Sequence, residues 1–455
     1  HSPFMNKTYH IITFGCQMNE RDSETLAGFL EEMGYTYTED PKTADAVIIN
    51  TCSVRENADK KFFGVLGQLK NPHEQRPGMM VCVCGCMMQQ QRIIDTLKAK
   101  YSWVDLVFGT HNMSEFPRLF QNASEQKAHL VDVWQDGKAL AEGLPARRAY
   151  SYKAFVNIMQ GCNNFCSYCI VPYIRGRERS RHPEAILNEI RRLAAEGCKE
   201  IMLLGQNVNS YGRAGQIEGG YCFEKDEPHW DFAGLLRAID QIEGIERVRF
   251  MTSHPKDLSD DLIACFGDLK HLCRQIHLPV QAGSSKVLKE MNRVYDRQQY
   301  LERVRALRAA CPSIAISTDI IVGFPGETEE DFEETLSLVE EVRYDSAFTF
   351  IYSVREGTPA AAREDQVPEE VKHRRFNRLL ETMHRIQEEK SLQYQDTVQR
   401  ILIEGFSKTD DTMLTGHTES GRVVDLPGDP SLIGQMVDVK IVKAQTFSLY
   451  GKLLG

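Results

Sequence analysis

Three cysteines stand close together in the segment MQGCNNFCSYCIVPYIRGRERSR, residues 159–181: Cys162, Cys166 and Cys169. Thiolates are soft ligands that suit zinc or iron–sulfur clusters, and a structural zinc site takes four protein ligands. A [4Fe–4S] cluster also usually takes four cysteines. Three cysteines without a nearby fourth therefore indicate a cluster with one iron left open, to which a small bidentate molecule can bind.

A second set of cysteines is dispersed over the N-terminal part of the chain. Cys16, Cys52 and Cys86 each close an apolar run, in YHIITFGC, DAVIINTC and GMMVCVCGC. This spacing suits successive βαβ units, in which the carboxyl ends of parallel strands meet at one edge of the sheet. We therefore expect the three cysteines to converge and bind metal, the alternative being three buried cysteines in a small core. Cys82 and Cys84 fall inside the third run and are predicted to be core residues.

The elements that must position these cysteines follow from the apolar patterns. From about residue 148, six strand-like runs alternate mostly with helical patterns: KAFVNIMQ, EIMLLGQ, RVRFMTS, QIHLPVQ, IAISTDIIVGF and AFTFIYS. Each run ends in polar or glycine-rich text, and the loops after the strands build the active site in parallel α/β barrels. Six such units predict an incomplete barrel with an open side.

The C-terminal text changes character. A long amphipathic helix is predicted from about residue 368, and short β-type runs with Gly- and Asp-rich turns follow it, which suggests a small barrel. The predicted fold class is therefore α/β, in three domains. These are an N-terminal parallel α/β domain (5–145), a central partial (β/α)6 barrel (148–385) and a small all-β barrel (388–455).

The composition limits the classes of function. The 455-residue chain has a net charge of −10, so any RNA site must be a local patch, because phosphate contacts depend on Lys and Arg. Thirteen cysteines in a long intracellular chain favour metal or catalytic roles over disulfides. After Met5 no basic stretch precedes an apolar run, and no apolar run is long enough to span a membrane, so we expect a cytoplasmic protein.

Several segments resemble a known family. The CxxxCxxC loop after the first barrel strand is similar to that of the radical S-adenosylmethionine (SAM) superfamily. TFGCQMN, NTCSVRENA, LLGQNVNSYG, HLPVQAGS, STDIIVGFPGETEEDF and FIYSVREGTPA resemble its methylthiotransferase family. The resemblance covers nearly the whole chain, and the C-terminal segment is similar to a TRAM domain.

This resemblance implies two [4Fe–4S] clusters and SAM as cofactors. Cys162, Cys166 and Cys169 would hold the radical SAM cluster, and the dispersed three cysteines an auxiliary cluster, which also has one iron free. One SAM would methylate a sulfur on the auxiliary cluster, and another would give the 5′-deoxyadenosyl radical that takes hydrogen from adenine C2. The implied reaction converts N6-isopentenyladenosine at position 37 of tRNA to its 2-methylthio derivative. Both clusters must then face one cavity, between the N-terminal sheet edge and the barrel mouth.

The resemblance also places SAM at residues that follow or end barrel strands. These residues are Gly205, Gln206, Asn207, Ser253, Gln281, Asp319, Ile321 and Gly323. Glu327 is displaced by one residue from the form of this motif that is common in the superfamily. Arg293, in the segment MNR, is as well explained as a surface residue.

RNA contacts are predicted at cations near the radical SAM loop and at the C-terminal barrel. These residues are Arg175, Arg177, Arg179, Lys440, Lys443 and Phe447. The implied partners are the anticodon stem-loop of tRNA and an electron donor such as flavodoxin or ferredoxin. The protein is expected to be a monomer that does not associate with a membrane.

Other readings stay open. One is a methylthiotransferase that acts on a ribosomal protein or on threonylcarbamoyladenosine in tRNA, although TFGCQMN and SVRENA favour the isopentenyl substrate. An alternative of another class is a non-enzymatic, zinc-containing RNA-binding protein. The remaining cysteines lack ligand spacing and are predicted to be packing residues: Cys198, Cys222, Cys265, Cys273 and Cys311.

Overall fold

The computed structural model describes residues 6–53, 57–126, 129–133, 142–213, 230–251 and 253–455. Three regions follow one another along the chain, and the main buried apolar groups lie within them. Cys222, which the sequence predicts to be a packing residue, lies outside the described residues.

The N-terminal region is a parallel sheet flanked by helices. Its elements are β1 (Thr8–Thr13), α1 (Gln17–Glu32), β2 (Thr36–Tyr37), β3 (Ala46–Thr51), α2 (Ala58–Gln68), α3 (Lys70–Gln75), β4 (Met80–Gly85), α4 (Gln91–Lys100), β5 (Leu106–Phe108), α5 (Phe116–Gln126) and β6 (Leu130–Asp132). Within the described residues, the strands pair in the order β2-β1-β3-β4-β5-β6, all in parallel.

The two central strands of this sheet are buried along their whole length. Alternate side chains enter two different cores: Ile48 and Cys82 pack in one, and Val47 and Val81 in the other. This is the pattern of a parallel strand covered on both faces. Cys82 and Cys84 are therefore core residues, which confirms the prediction.

In the described part of the central region, one barrel strand lies at each of the six predicted positions. Its elements are β7 (Lys153–Asn157), β8 (Met159–Gln160), α6 (Val171–Arg175), β9 (Arg179–Ser180), α7 (Pro183–Ala195), β10 (Glu200–Leu204), α8 (Phe232–Asp240), β11 (Arg247–Phe250), α9 (Asp260–Asp268), β12 (Gln275–His277), α10 (Ser285–Glu290), α11 (Arg297–Ala310), β13 (Ala315–Val322), α12 (Glu329–Val342), β14 (Ser346–Ile351) and α13 (Glu369–Leu392).

Within the described residues, the six barrel strands form two parallel sheets, β11-β10-β7 and β12-β13-β14. A single bridge between Val248 and Leu272 joins them, and β7 and β14 are the outer edges. This is the open-sided partial barrel that the sequence predicts. Thr328 and Asp331 form the expected capping box at the start of α12. The boundary predicted at 385–388 falls inside α13, whose buried Met383 and Ile386 continue the barrel core.

The C-terminal region is a closed antiparallel barrel with one parallel pair. Its strands are β15 (Val398–Phe406), β16 (Leu414–His417), β17 (Val423–Leu426), β18 (Met436–Ala444) and β19 (Leu449–Leu453). In the continuously described stretch 253–455, they pair in the closed order β15-β16-β17-β19-β18. Among the described residues, no helix has both the length and the apolar character needed to cross a membrane.

This small barrel docks on the amino-terminal ends of the large-barrel strands. Arg247, the first residue of β11, donates to the carbonyl of His417 at 2.9 Å, and Lys153, the first of β7, pairs with Glu404 at 3.2 Å. Asp345, directly before β14, lies 4.0 Å from Arg422. The carboxyl ends of the same strands, where the sequence predicts the site, face the N-terminal region instead.

Candidate active site

The dispersed cysteines meet at one edge of the N-terminal sheet. Cys16 caps the start of α1 just beyond β1, Cys52 directly follows β3, and Cys86 directly follows β4. Because β1, β3 and β4 are neighbours in the sheet, their carboxyl ends lie side by side, and all three cysteines line the same cavity. We call these residues the dispersed triad.

Two glycines allow these loops to approach closely. Gly15 has φ +110°, and a Cβ there would lie 2.5 Å from the Cβ of Cys52. Gly85 has φ +101°, and a Cβ there would lie 2.4 Å from the carbonyl oxygen of Thr51. Both positions lie in the backbone region that favours glycine, and neither has room for a side chain. The close contact between the cysteine loops therefore depends on these two residues.

A buried asparagine joins the same loops. The side-chain amide of Asn19 donates to the carbonyls of Phe14 and Thr51, both at 2.7 Å. Asn50 donates in turn to the carbonyl of Asn19 at 2.9 Å. Phe14 and Thr51 shortly precede Cys16 and Cys52 in the chain, so the first turn of α1 fixes the backbone on which two of the triad cysteines stand.

Cys162, Cys166 and Cys169 occupy one loop between β8 and α6, and we call them the local triad. The amide of Cys162 donates to the carbonyl of Gly176, and that of Cys169 to the carbonyl of Cys166, both at 3.0 Å. Ser167 anchors the loop to the end of α10, since its hydroxyl donates to the carbonyl of Glu290 at 2.7 Å. The loop is thus held both internally and by the barrel.

Both triads line a single cavity of about 480 Å³ at the carboxyl ends of the barrel strands. Its remaining lining comes from both regions and includes Gln17, Met18, Tyr168, Ile174, Arg175, Leu204, Met251, His254, His277, Pro279, Arg293 and Phe348. The expected geometry, with the sheet edge facing the open mouth of the barrel, is present.

Each triad has a buried arginine that donates to one of its sulfurs. Nε of Arg175 lies 3.0 Å from Sγ of Cys86, and Nη1 of Arg293 lies 3.4 Å from Sγ of Cys166. Arg175 is 3% exposed and Arg293 is 4% exposed. The reading of Arg293 as a surface residue is therefore wrong. Arg175, which the sequence predicts to contact RNA, is likewise buried, and its guanidinium is enclosed among protein groups.

The donor chemistry fits iron–sulfur ligation. Burial raises the pKa of Cys86 to about 11, and Cys52 and Cys16 add to the rise while Arg175 opposes it. Burial likewise raises the pKa of Cys169 to about 12. Such thiols hold their protons at neutral pH until a bound metal displaces them.

Among the described residues, no group of three or more His, Cys, Asp or Glu side chains closes on a single metal ion. A [4Fe–4S] cluster presents separate irons to its thiolates, so its ligands need not converge on one point. Two triads on one cavity are compatible with two clusters and not with an ordinary four-ligand zinc site.

The residues predicted to contact SAM divide into those that line the cavity and those that do not. Ser253 and Gln281 line it while nearly fully buried, and Oγ of Ser253 and Oε1 of Gln281 have no hydrogen-bond partner among the described residues. Buried polar atoms without partners are uncommon, so these two mark a place for a polar ligand. Gly205, Gln206, Asn207 and Asp319 also line the cavity.

Two of these lining residues also have structural partners. Oε1 of Gln206 accepts from the amide of Gly161 at 2.6 Å, directly ahead of the local triad. Asn207 donates to Asp257 at 2.7 Å and accepts from the amide of His254 at 3.1 Å, so its side chain holds the loop after β11. Through these contacts, Gln206 and Asn207 connect the loop after β10 to the loops after β8 and β11.

Ile321 and Gly323 are not among the residues that line this cavity. A Cβ at Gly323 would meet the side chain of Lys372 at 2.4 Å, which places this turn against α13. Glu327 accepts from the amide of Gly323 at 3.1 Å and from Arg375 at 3.0 Å, and burial raises its pKa to about 7. The geometry thus gives Glu327 a structural part in the turn.

Comparison with known proteins agrees with this geometry. Residues 8–109 match Uncharacterized protein family UPF0004, residues 156–339 the Radical SAM superfamily and residues 392–454 the TRAM domain. A tRNA-2-methylthio-N(6)-dimethylallyladenosine synthase of Clostridium botulinum (strain Hall) is 54% identical over 98% of this chain and 96% of its own length. The synthase of the same name from Clostridium perfringens (strain 13) is 52% identical over 98% of both chains. The chain belongs to the methylthiotransferase family of radical SAM enzymes.

Solved structures share the fold. The radical S-adenosylmethionine methyltransferase TsrM from Kitasatospora setae, with cobalamin and a [4Fe–4S] cluster bound, aligns with TM-score 0.56 at 14% identity, over 78% of this chain and 77% of that one. The cobalamin-dependent radical enzyme OxsB aligns with TM-score 0.51 at 12% identity, over 83% of this chain and 56% of that one.

The other residues predicted to contact RNA fall into two groups. Arg177 is exposed, whereas Arg179 is buried, with 7% of its surface exposed. On the small barrel, Lys440, Lys443 and Phe447 are exposed, and the ring of Phe447 lies 5.4 Å from that of His384 on α13.

Two lining residues, His277 and Phe348, were not predicted from the sequence to belong to the site. Nε2 of His277 lies 3.2 Å from the predicted Asp319, and its Nδ1 is 2.8 Å from the hydroxyl of Ser317. Phe348 lines the cavity although its side chain is 55% exposed. The register pairs Asp319 with Phe348 on adjacent strands, so once the strands are aligned both residues are expected on the same face.

Proposed function

We propose that the chain is a tRNA methylthiotransferase that converts N6-isopentenyladenosine at position 37 to 2-methylthio-N6-isopentenyladenosine. The observation that carries this proposal is the presence of both cysteine triads on one cavity. The relatives that cover nearly the whole chain are named as synthases of this product. The domains are proposed at 5–145, 148–385 and 388–455, with α13 continuing across the last boundary.

In this proposal, Cys162, Cys166 and Cys169 hold the radical SAM cluster, and Cys16, Cys52 and Cys86 hold the auxiliary cluster. Bound there, the two [4Fe–4S] clusters supply the electron that cleaves SAM and the sulfur that is methylated and transferred. Three thiols at each site leave one coordination position for a ligand other than protein.

The chain itself orients SAM and excludes water. Ser253 and Gln281 offer unpartnered polar atoms to the amino and carboxylate groups of SAM, beside Gly205, Gln206 and Asp319 on the same wall. Apolar side chains from both regions, among them Met18 and Ile174, close the remaining lining. A dry cavity protects a reactive species from side reactions with solvent.

One base of the tRNA substrate, flipped out of its loop, enters the cavity. Bases of an RNA loop can be splayed out and stacked on aromatic side chains, and the exposed ring of Phe348 at the cavity offers such a surface. Arg177, Lys440, Lys443 and Phe447 are the exposed residues proposed to contact the anticodon stem-loop. The protein is further proposed to act as a cytoplasmic monomer, reduced by flavodoxin or ferredoxin.

Nucleoside analysis tests this function. In tRNA from a strain without the gene, we expect the 2-methylthio nucleoside to vanish and N6-isopentenyladenosine to accumulate. The full chain should restore the product and its Cys52→Ala variant should not. An unchanged nucleoside profile would exclude the proposed substrate, and a change confined to a ribosomal protein or to threonylcarbamoyladenosine would assign one of the alternatives.

Metal analysis tests the class of the protein. Protein purified without oxygen should be brown and contain about eight irons per chain, as two [4Fe–4S] clusters require. A colourless protein that carries zinc would instead identify a non-enzymatic, zinc-containing RNA-binding protein.

A further inference from the structure

We infer that Arg175 is a positioning residue for the auxiliary cluster, which it reaches from the segment directly behind the radical SAM loop. This inference rests on the proposed function for the presence of that cluster. It concerns how the chain fixes the dispersed triad, and how the two cluster sites are joined.

Arg175 belongs to the barrel but contacts the N-terminal region. It is the last residue of α6, the short helix that follows Cys169. Its Nε donates to Sγ of Cys86 at 3.0 Å, its Nη2 donates to Oδ1 of Asn19 at 3.0 Å, and its Nη1 lies 3.5 Å from Asp22. One guanidinium therefore uses all three of its nitrogens on α1 and on the loop after β4.

The contact with Asn19 extends this hold to the rest of the dispersed triad. The amide group of Asn19 donates to the carbonyls of Phe14 and Thr51 at 2.7 Å. Thr51 directly precedes Cys52, and Phe14 lies two positions before Cys16. Arg175 thus touches Cys86 directly and, through the side chain of Asn19, the backbone shortly before the other two ligands.

The geometry of the guanidinium explains why an arginine stands here. Its planar fork donates in several fixed directions, whereas a lysine ammonium is a compact point charge on a flexible stem. A buried cation needs partners, and Asp22, 8% exposed, supplies the carboxylate. Nε of Arg175 therefore donates to the sulfur of Cys86, which gains negative charge when it binds metal. Outer groups of this kind orient ligands and tune the metal site.

The exposed Arg177 provides a matched control. It lies two residues further on, in the same cationic segment, and has the same charge. A general electrostatic influence of the segment would act through both arginines. A positioning role would act through Arg175 alone.

The experiment uses full-length protein in which Cys162, Cys166 and Cys169 are replaced by alanine, so that the auxiliary cluster loads alone. Arg175→Met, Arg175→Lys and Arg177→Met are added separately and reconstituted without oxygen. Iron release to a chelator and the electron paramagnetic resonance spectrum of the reduced cluster are recorded. Removal of a group that hydrogen-bonds a metal ligand typically costs tenfold or more in metal affinity.

We expect Arg175→Met to release iron about tenfold faster, with an altered spectrum and a reduction potential shifted to more negative values. Arg175→Lys should be intermediate, because it keeps the charge and loses the fork. Arg177→Met should release iron at the same rate as its parent and give the same spectrum. Equal iron release and identical spectra in Arg175→Met and Arg177→Met would overturn the inference.

Two further outcomes separate a failure of this inference from a failure of the proposed function. If Arg175→Met loads no auxiliary cluster, the Arg175→Lys variant decides. An iron-release rate faster than that of the parent supports the inference. A rate and spectrum equal to those of the parent would show that only the charge of Arg175 matters, which would overturn the inference. If the parent itself binds no cluster, the proposed function fails and not the role of Arg175 specifically.

Discussion

The two cysteine triads solve the same chemical problem with opposite architectures. The local triad spans eight residues of one loop, and hydrogen bonds of that loop and of α10 hold it in place. The dispersed triad draws its cysteines from three strand ends and depends on sheet order, on Gly15 and Gly85, and on Asn19. A compact motif can be fixed locally, whereas a dispersed site needs the packing of a whole domain. The dispersed triad should therefore be the more sensitive of the two to changes away from its ligands.

The largest effects should follow from removing one ligand of each triad. Cys169→Ala and Cys86→Ala should each lower the iron content from about eight to about four per chain, since the two residues are proposed to hold separate [4Fe–4S] clusters. Cys169→Ala should abolish SAM cleavage and product formation together. Cys86→Ala should abolish the methylthio product while 5′-deoxyadenosine still forms.

Iron assay, detection of 5′-deoxyadenosine and nucleoside mass spectrometry together measure these outcomes. Full product formation with undiminished iron in either variant would refute the assignment of the ligands. Loss of all iron in both variants would mean that the two sites do not load independently of each other.

The glycines that admit the loops provide the next test. Gly85→Ala introduces a Cβ 2.4 Å from the carbonyl of Thr51 at φ +101°. We expect it to destabilise the protein by about 2 kcal/mol or more, because a non-glycine residue in such a region costs 1–3 kcal/mol before any collision. It should also lose the iron of the dispersed triad while the local triad still loads.

Gly64→Ala is the control for that variant, since Gly64 lies in α2 with open space around the position of its missing Cβ. Alanine should there be neutral or stabilising by up to about 1 kcal/mol. Thermal unfolding and iron content measure both variants. A normal iron content in Gly85→Ala would show that close contact between the loops is not required.

Arg293 should affect the local triad as Arg175 affects the dispersed one. Arg293→Met removes the donor to Sγ of Cys166 and also the donors to the carbonyl of Pro279 at 2.8 Å and to Tyr295 at 2.9 Å. In protein with Cys16, Cys52 and Cys86 replaced by alanine, we expect iron release from the local triad to rise about tenfold. An unchanged release rate in Arg293→Met would mean that the stability of the local cluster does not depend on Arg293.

The smallest effect should come from a cysteine that lies beside a triad but is not part of it. Cys84 is fully buried in the N-terminal core, two residues before Cys86. Cys84→Ala should lower the free energy of unfolding by about 1 kcal/mol, as a typical core truncation does, and leave iron content and product unchanged. Thermal unfolding and iron assay measure this, and a fall in iron would place Cys84 among the ligands.

Much of the fold could be read from local patterns. The apolar runs gave the six barrel strands and the cysteine-terminated strands β1, β3 and β4, because strand positions depend on residue types that are near in sequence. The side-chain environments of Arg175, Arg179 and Arg293 could not be read in this way. A cation in a polar segment has the same sequence signature whether it meets water or a buried sulfur. Only the partners Cys86 and Cys166, which are distant in sequence, distinguish the two cases.

The position of the small barrel could not be predicted from the sequence either. Its strands were predictable from their turns, but its docking on the amino-terminal ends of the large barrel depends on contacts such as Arg247 with the carbonyl of His417. Such contacts join residues far apart in the chain. They carry no pattern that spacing alone reveals.

The sequence by itself determined the chemistry of this protein. Ligand type and short spacing define the local triad, and matching strand ends define the dispersed one. Only the tertiary structure decided that Arg175, from the segment behind the local triad, contacts Cys86 of the dispersed triad within the shared cavity. The physical reason is that ligand chemistry resides in individual side chains, whereas cavities and buried hydrogen bonds arise from the packing of distant segments.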